Sequence, residues 1–340
     1  MVTPLRSPRQ RGRDPHIVAI GGGTGLSTLL RGLKAYTSAI SAIVTVADDG
    51  GSSGRLRREL GVLPPGDLRQ CIAALAEDEA LITQLFQYRF PEGGLEGHSF
   101  GNLFIAAMAA ITGSFEKGIL ESGHILAIKG RILPATLQDV TLYADLREER
   151  QGRLSRVAGE SQIPKANGTI ERVYLQPDRV RAYPVAVQAI LDADLIVIGP
   201  GSLYTSILPN LLIEDITQAV RASRAFKVYV CNVATQRGET EGYTVYDHVA
   251  ALVRHVGPGL VNAVLANENM SLPLPSQSGV EFVQLGPPLG EGVQLMTADL
   301  VDPARPWRHD SARLAQALMR LYAPIAEQRK EPSHTDNTVA

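Results

Sequence analysis

The chain's first strong signal is a run of four apolar positions, Ile17 to Ile20, that ends in Gly21-Gly-Gly-Thr-Gly25. A short unbroken apolar run closed by glycines predicts a strand buried on both faces. Leu26, Leu29, Leu30 and Leu33 then fall at helical spacing, which predicts a helix packed along one side. A second β-branched run, Ala42 to Ala47, ends in Asp48-Asp-Gly-Gly-Ser-Ser-Gly54, read as a second strand and an acidic, glycine-rich loop. From Leu56 to Phe115 the pattern is mainly helical, broken at Leu63-Pro-Pro-Gly-Asp-Leu-Arg69 and at Gly97-His-Ser-Phe-Gly-Asn102.

Between Ile125 and Leu175 the period changes to alternation, with strands predicted at Ile125–Ile128, Val140–Leu146 and Arg172–Gln176. Charged segments and an Asn167-Gly168 hairpin signal separate them. The charged stretch Arg147 to Arg153 reads as a solvated hairpin tip. Strand and helix then alternate again. The strand of Ala189 to Ile198 runs into Gly199-Pro-Gly-Ser-Leu-Tyr-Thr-Ser206 and a helix toward Leu211. The strand of Lys227 to Cys231 runs into Asn232-Val-Ala-Thr-Gln-Arg-Gly-Glu-Thr240. A helix over Tyr243–His255, strands at Val261–Leu265 and Glu281–Leu285, a polar linker to Ser278 and a helix over Ser311–Ala326 complete the pattern. The fold predicted is α/β, a Rossmann-like doubly wound and mainly parallel sheet with an antiparallel β insertion at about 125–177. It forms one domain over 16–327, between a disordered basic arm (1–15) and a disordered tail (328–340).

Composition narrows the classes. The 340 residues carry 44% hydrophobic and 20% charged positions with a formal net charge of -2, an ordinary globular balance without global attraction to nucleic acid or anionic membrane. Arginines at 6, 9, 11 and 13 are followed by no apolar segment of a signal peptide. No apolar run reaches the roughly 18 residues of a membrane helix. Cys71 and Cys231 are the only cysteines and read as reduced core thiols of a cytoplasmic protein.

The candidate chemistry lies in the loops. Gly21, Gly22, Gly23, Thr24 and Gly25 at a helix start present backbone amides suited to phosphate. The standard dinucleotide frame does not close, because its third glycine falls on Leu26 or Thr28, and no phosphate-loop lysine follows. An NAD(P) site is therefore disfavoured, although Asp48 stands where ribose recognition would fall. Gly199, Gly201, Ser202, Leu203, Tyr204, Thr205 and Ser206 repeat the strand–glycine–helix form. Asp48 and Asp49 can accept from ribose hydroxyls or offset phosphate charge through a divalent ion. Asp67 reads as a helix N-cap, a ligand contact or both, and His98 as either a loop hydrogen-bonder or a site residue. Ser52, Ser53, Asn102, Asn232, Thr235 and Gln236 supply hydroxyls and amides, and Arg308 is a candidate anion contact. Asp310 reads as a helix N-cap, and His248 and His255 as helix-surface residues.

Six motifs in order, at 21–25, 48–54, 64–69, 98–103, 199–206 and 231–240, resemble those of the gluconeogenesis factor (YvcK-like) family over about Ile17 to Ala326. Its superfamily includes the 2-phospho-L-lactate transferases (CofD-like), which share a Rossmann-like fold and handle a GDP-linked donor. The transferase pattern has bulkier aromatic and histidine positions where this chain has Gly50-Gly-Ser-Ser-Gly54, so the gluconeogenesis-factor branch is the closer fit. That resemblance implies a cytoplasmic bacterial regulator that binds a UDP-sugar, notably UDP-N-acetylglucosamine, and supports cell-wall (peptidoglycan) synthesis and cell shape during gluconeogenic growth. Proteins of cell-wall synthesis are the expected partners, and a homo-oligomer is open. No nucleic acid or membrane insertion is expected. The alternative is a transferase in which Asp48 and Asp67 hold Mg²⁺ and His98 or an aspartate deprotonates an acceptor.

Overall fold

The structure, a computed structural model, describes residues 14–77, 79–148, 152–275 and 279–328. The predicted basic arm up to residue 13, the hairpin tip at 149–151, Ser278 and the tail beyond 328 lie outside the described residues.

The first half begins with β1 (Ile17–Gly21), α1 (Gly23–Leu33) and β2 (Ile40–Val44). Every residue of both strands is buried, as the unbroken apolar runs require. Four helices follow: α2 (Gly51–Leu60), α3 (Gly66–Leu75), α4 (Glu79–Gln87) and α5 (Phe100–Thr112). After α6 (Phe115–Ile125), β3 (Arg131–Pro134) returns to the main sheet beside β2. The insertion is β4 (Thr141–Arg147), β5 (Leu154–Ala158) and β6 (Thr169–Gln176), an antiparallel sheet with β4 in the middle.

The second half contains α7 (Pro184–Leu191), β7 (Leu195–Ile198) and a π-helical turn (Leu203–Ile207) that leads into the short α8 (Leu208–Leu211). Next come α9 (Glu214–Ala222), β8 (Phe226–Val230), α10 (Val245–Val256), β9 (Ala263–Asn267) and β10 (Gln294–Ala298). A small hairpin of β11 (Val301–Asp302) and β12 (Arg305–His309) precedes α11 (Ser311–Gln328).

The main sheet has seven strands in the order β10-β9-β8-β7-β1-β2-β3, and all its pairings are parallel. The doubly wound class read from the sequence is therefore the observed one. Chain order reverses between β1 and β7, the kind of place where a ligand crevice forms at the carboxyl ends of the strands. Helix α1 packs against both α3 and α11; Gly32 lies against Ser311 and Ala315 of α11, and the leucines the sequence marked are buried.

Five local expectations are corrected. Gly51 to Gly54 form the first turn of α2 rather than loop; the low helix propensity of glycine and serine is overridden by contacts of Ser52 with His98 and of Ser53 with Asn102, and Gly54 sits too close to the Asp49 carbonyl for a Cβ. The strand expected at Ile125–Ile128 is not formed; Ile125 ends α6 and Ala127 takes a positive φ of 45, so the antiparallel insertion begins at Thr141. Glu281–Leu285 makes only the single bridge of Phe282 with Ala234. Asp67 is not an N-cap, because Pro65 occupies that position and Asp67 lies in the first turn of α3. His248 is fully buried and His255 half-buried; the His255 ring donates to the Ala251 carbonyl and accepts the Val173 N–H at 3.0 Å. Among the described residues no single helix is long and apolar enough to cross a membrane.

Candidate functional site

The loops after β1 and β7 meet at the reversal point in van der Waals contact. A Cβ on Gly25 would run into the Pro200 carbonyl, so only glycine permits the approach. Asn210 on α8 fixes both loops, its Nδ2 donating to the Gly21 carbonyl at 3.0 Å and to the Ser206 carbonyl at 2.8 Å. The loop after β8 shapes the second one. Asn232 accepts the Gly201 N–H at 3.3 Å and donates to the Gly201 carbonyl at 2.9 Å, while Gln236 donates to Ser202 Oγ at 2.8 Å. Thr235 is bound to the backbone of Glu281, accepting its N–H at 3.0 Å.

A cleft of about 510 Å³ opens at this junction, within the range of small-molecule sites. Of the residues predicted from sequence, Gly22, Gly23, Thr24, Gly25, Asp67, Gly201, Ser202, Ser206, Asn232, Thr235, Gln236 and Arg308 line it. Gly21 ends β1 beneath it, and Gly199 supports the second loop without lining the cleft. Leu203, Tyr204 and Thr205 are buried, and the Tyr204 N–H and Thr205 hydroxyl are taken by the Glu239 carboxylate at 3.1 and 2.8 Å. Those groups are engaged with Glu239 within the protein.

The remaining predicted residues form a polar network outside the cleft lining. Asp48 accepts the Gly50 N–H at 2.8 Å and a hydrogen bond from Ser53. Ser53 in turn accepts from Asn102 Nδ2 at 3.3 Å. Ser52 Oγ lies 3.1 Å from His98 Nδ1, and both side chains are buried. Asp49 accepts the Ser161 N–H at 2.9 Å. It thus anchors the insertion and holds the neighbouring Glu160 at the cleft, where Glu160 is part of the lining.

Glu160 gives the cleft a second carboxylate beside Asp67, and nothing in its sequence surroundings marks it out. Burial, reinforced by Asp48, pushes Asp67 up to about 7, against the opposing N–H donated by Gly23. Burial and the nearby Asp48 and Asp67 push Glu160 up to about 8. Among the described residues no three His, Cys, Asp or Glu side chains form a ready-made metal cage. Of the expected pair Asp48 and Asp67, only Asp67 faces the cleft.

Positive charge comes from Arg308 and from Arg237, which also lines the cleft. Sequence reasoning missed Trp307 and His309, neighbours of Arg308 on β12. The His309 ring is bonded to the Cys231 carbonyl, and burial pulls it down to about 4, which keeps it neutral. Its Nε2 is buried without a protein partner.

Residues 17–285 match the family model described as 2-phospho-L-lactate transferase CofD. A gluconeogenesis factor of Halalkalibacterium halodurans is 53% identical over 256 residues, 75% of this chain and 78% of that protein. The gluconeogenesis factor of Bacillus subtilis is 52% identical over 257 residues, 75% of this chain and 80% of that one. This chain belongs to the gluconeogenesis factor family. A crystal structure of a UPF0052 family member from Bacillus halodurans superimposes with a TM-score of 0.81 at 44% identity, covering 90% of this chain and 99% of that one.

Proposed function

We propose that this gluconeogenesis factor binds a UDP-sugar, with UDP-N-acetylglucosamine the leading ligand, and acts in the cytoplasm as a regulator that supports cell-wall synthesis and cell shape during gluconeogenic growth. The observation that carries the reading is the contact of two glycine loops at the point where strand order reverses, each at a helix start. The first turn of α1, with Thr24 and Gly25, and the hydroxyl-bearing Ser202 and Ser206 then line one anion-sized space. Arg308 and Arg237 add charge for a diphosphate.

Mg²⁺ fits this arrangement as a ligand-borne ion. It is commonly held by one or two carboxylates together with substrate phosphates and water. Asp67 and Glu160 are the carboxylates of this chain that would hold it. Bound there, the ion would neutralise diphosphate charge.

Asp67 and Glu160, pushed up to about 7 and about 8, also favour a second reading, transfer from a nucleotide-linked donor, because groups that titrate near neutrality suit proton exchange. Calorimetric titration with UDP-N-acetylglucosamine, GDP, NAD and NADP, each with and without Mg²⁺, followed by product analysis of every binder, decides between them. Saturable UDP-sugar binding without turnover is expected. Consumption of a GDP-linked donor with no UDP-sugar signal would replace the regulator by the transferase.

A further inference from the structure

The reading of the cleft as a nucleotide site gives no task to Trp307, which lines it. Trp307 is the single tryptophan of the chain and is 38% exposed, although the sheet and its helices offer ample core. Its strand is held at both ends. After β10 the chain returns across the carboxyl edge of the sheet, and β12 pairs antiparallel with β11. At the end of β12 the His309 ring is tied to the Cys231 carbonyl beyond β8. The Asp310 N–H then donates to the Leu300 carbonyl at 2.8 Å, and the Asp310 carboxylate caps α11 through the Arg313 N–H at 2.9 Å. Because α11 packs on α1, the strap is fixed to the helix that begins at the glycine loop.

A rigid strap thus presents an indole beside Arg308 at a cleft otherwise lined mostly by glycines, hydroxyls, amides and charged groups. An exposed aromatic plane in such a setting is matched by a flat, polarisable ring, because stacking satisfies its apolar face while its edge stays in water.

We infer that Trp307 is the platform on which the nucleobase of the bound nucleotide stacks while the diphosphate lies on the glycine loops. The inference rests on the nucleotide reading and deepens it. Stacking accepts any base, so Trp307 supplies affinity for the nucleoside half, and selection among bases falls to hydrogen-bonding groups at the base edge.

The single tryptophan makes the test direct. Emission of the wild-type chain is titrated with UDP-N-acetylglucosamine, with UMP and with inorganic pyrophosphate, in parallel with calorimetry of wild type, Trp307→Ala and Trp307→Phe. We expect UDP-N-acetylglucosamine and UMP to change the emission with the calorimetric midpoint. Trp307→Ala should bind both about 5- to 150-fold more weakly, and Trp307→Phe should recover most of the loss. Pyrophosphate affinity should be the same in all three proteins. Wild-type nucleotide affinity in Trp307→Ala, or an equal loss for pyrophosphate, would overturn the stacking role while leaving the nucleotide reading intact. Absence of nucleotide binding by the wild-type chain would overturn both.

Discussion

Gly25 sits in the first turn of α1 where that turn touches the Pro200 carbonyl of the neighbouring loop. The cleft therefore depends on an absent side chain. A β-branched replacement must push the loops apart, because the atom it meets is backbone rather than the end of a flexible chain. Gly25→Val is expected to destabilise the fold by about 1–3 kcal/mol and to weaken UDP-sugar binding by at least roughly tenfold, about 1.4 kcal/mol. Denaturant melts and calorimetry check the two effects separately, and unchanged affinity would mean that the loop contact does not shape the site. At this scale the sequence was legible where chemistry was concentrated in runs, as at Gly21 to Gly25 or Gly199 to Ser206. It was silent about Glu160 and Trp307, each an ordinary residue in its local surroundings. Only the path of the chain brings them to the cleft.

At the scale of elements, the antiparallel insertion is more than an appendage, because it delivers Glu160. Its apolar face, with Leu142, Ala144, Leu146, Ile170 and Val173, is buried in the common core, and a few polar contacts fix its position on the body. Asp49 takes the Ser161 N–H, His255 on α10 takes the Val173 N–H of β6, and Arg57 of α2 donates to the Val140 carbonyl at 2.7 Å just before β4. Asp49 therefore acts at one remove from the ligand, as a positioning residue. Asp49→Ala leaves the half-buried Ser161 N–H without its charged acceptor, which costs about 1.5–3 kcal/mol. The freed segment should also reduce the gain in UDP-sugar affinity given by Mg²⁺. Calorimetry with and without Mg²⁺ reads this, and an Mg²⁺ effect identical in variant and wild type would remove Glu160 from the ion's coordination. The alternating pattern announced these strands, but the same rule misread Ile125–Ile128. A short apolar segment at a helix end has no periodicity long enough to separate the two structures.

For the whole molecule, the acidic site sets a dependence of stability on pH. Asp67 rises from an ordinary 3.8 to about 7 and Glu160 from 4.5 to about 8. Between about pH 4 and pH 8 the folded chain holds protons that the unfolded chain has already released. The contribution of these two groups to stability therefore falls as pH rises through that window and levels off above it. Glu160→Gln should melt higher than wild type at pH 8, by roughly 2–4 °C, with the difference vanishing toward pH 4. Calorimetric scans across pH 4–9 measure it, and coincident curves would show that Glu160 titrates normally.

What the sequence determined by itself was the class of fold, from buried apolar runs alternating with helical spacing. It also located the glycine loops that end the strands, because each of these signals is local and repeats within a few residues. The tertiary structure decided which loops share one cleft. It set Asp48, Ser52, Ser53, His98 and Asn102 outside the cleft lining, engaged Tyr204 and Thr205 with Glu239, and carried Glu160 and Trp307 to the site. The reason is physical. A residue's chemical task here depends on which distant backbone or charge it meets, and that meeting is fixed by strand order and by the return path of the chain rather than by its neighbours in sequence.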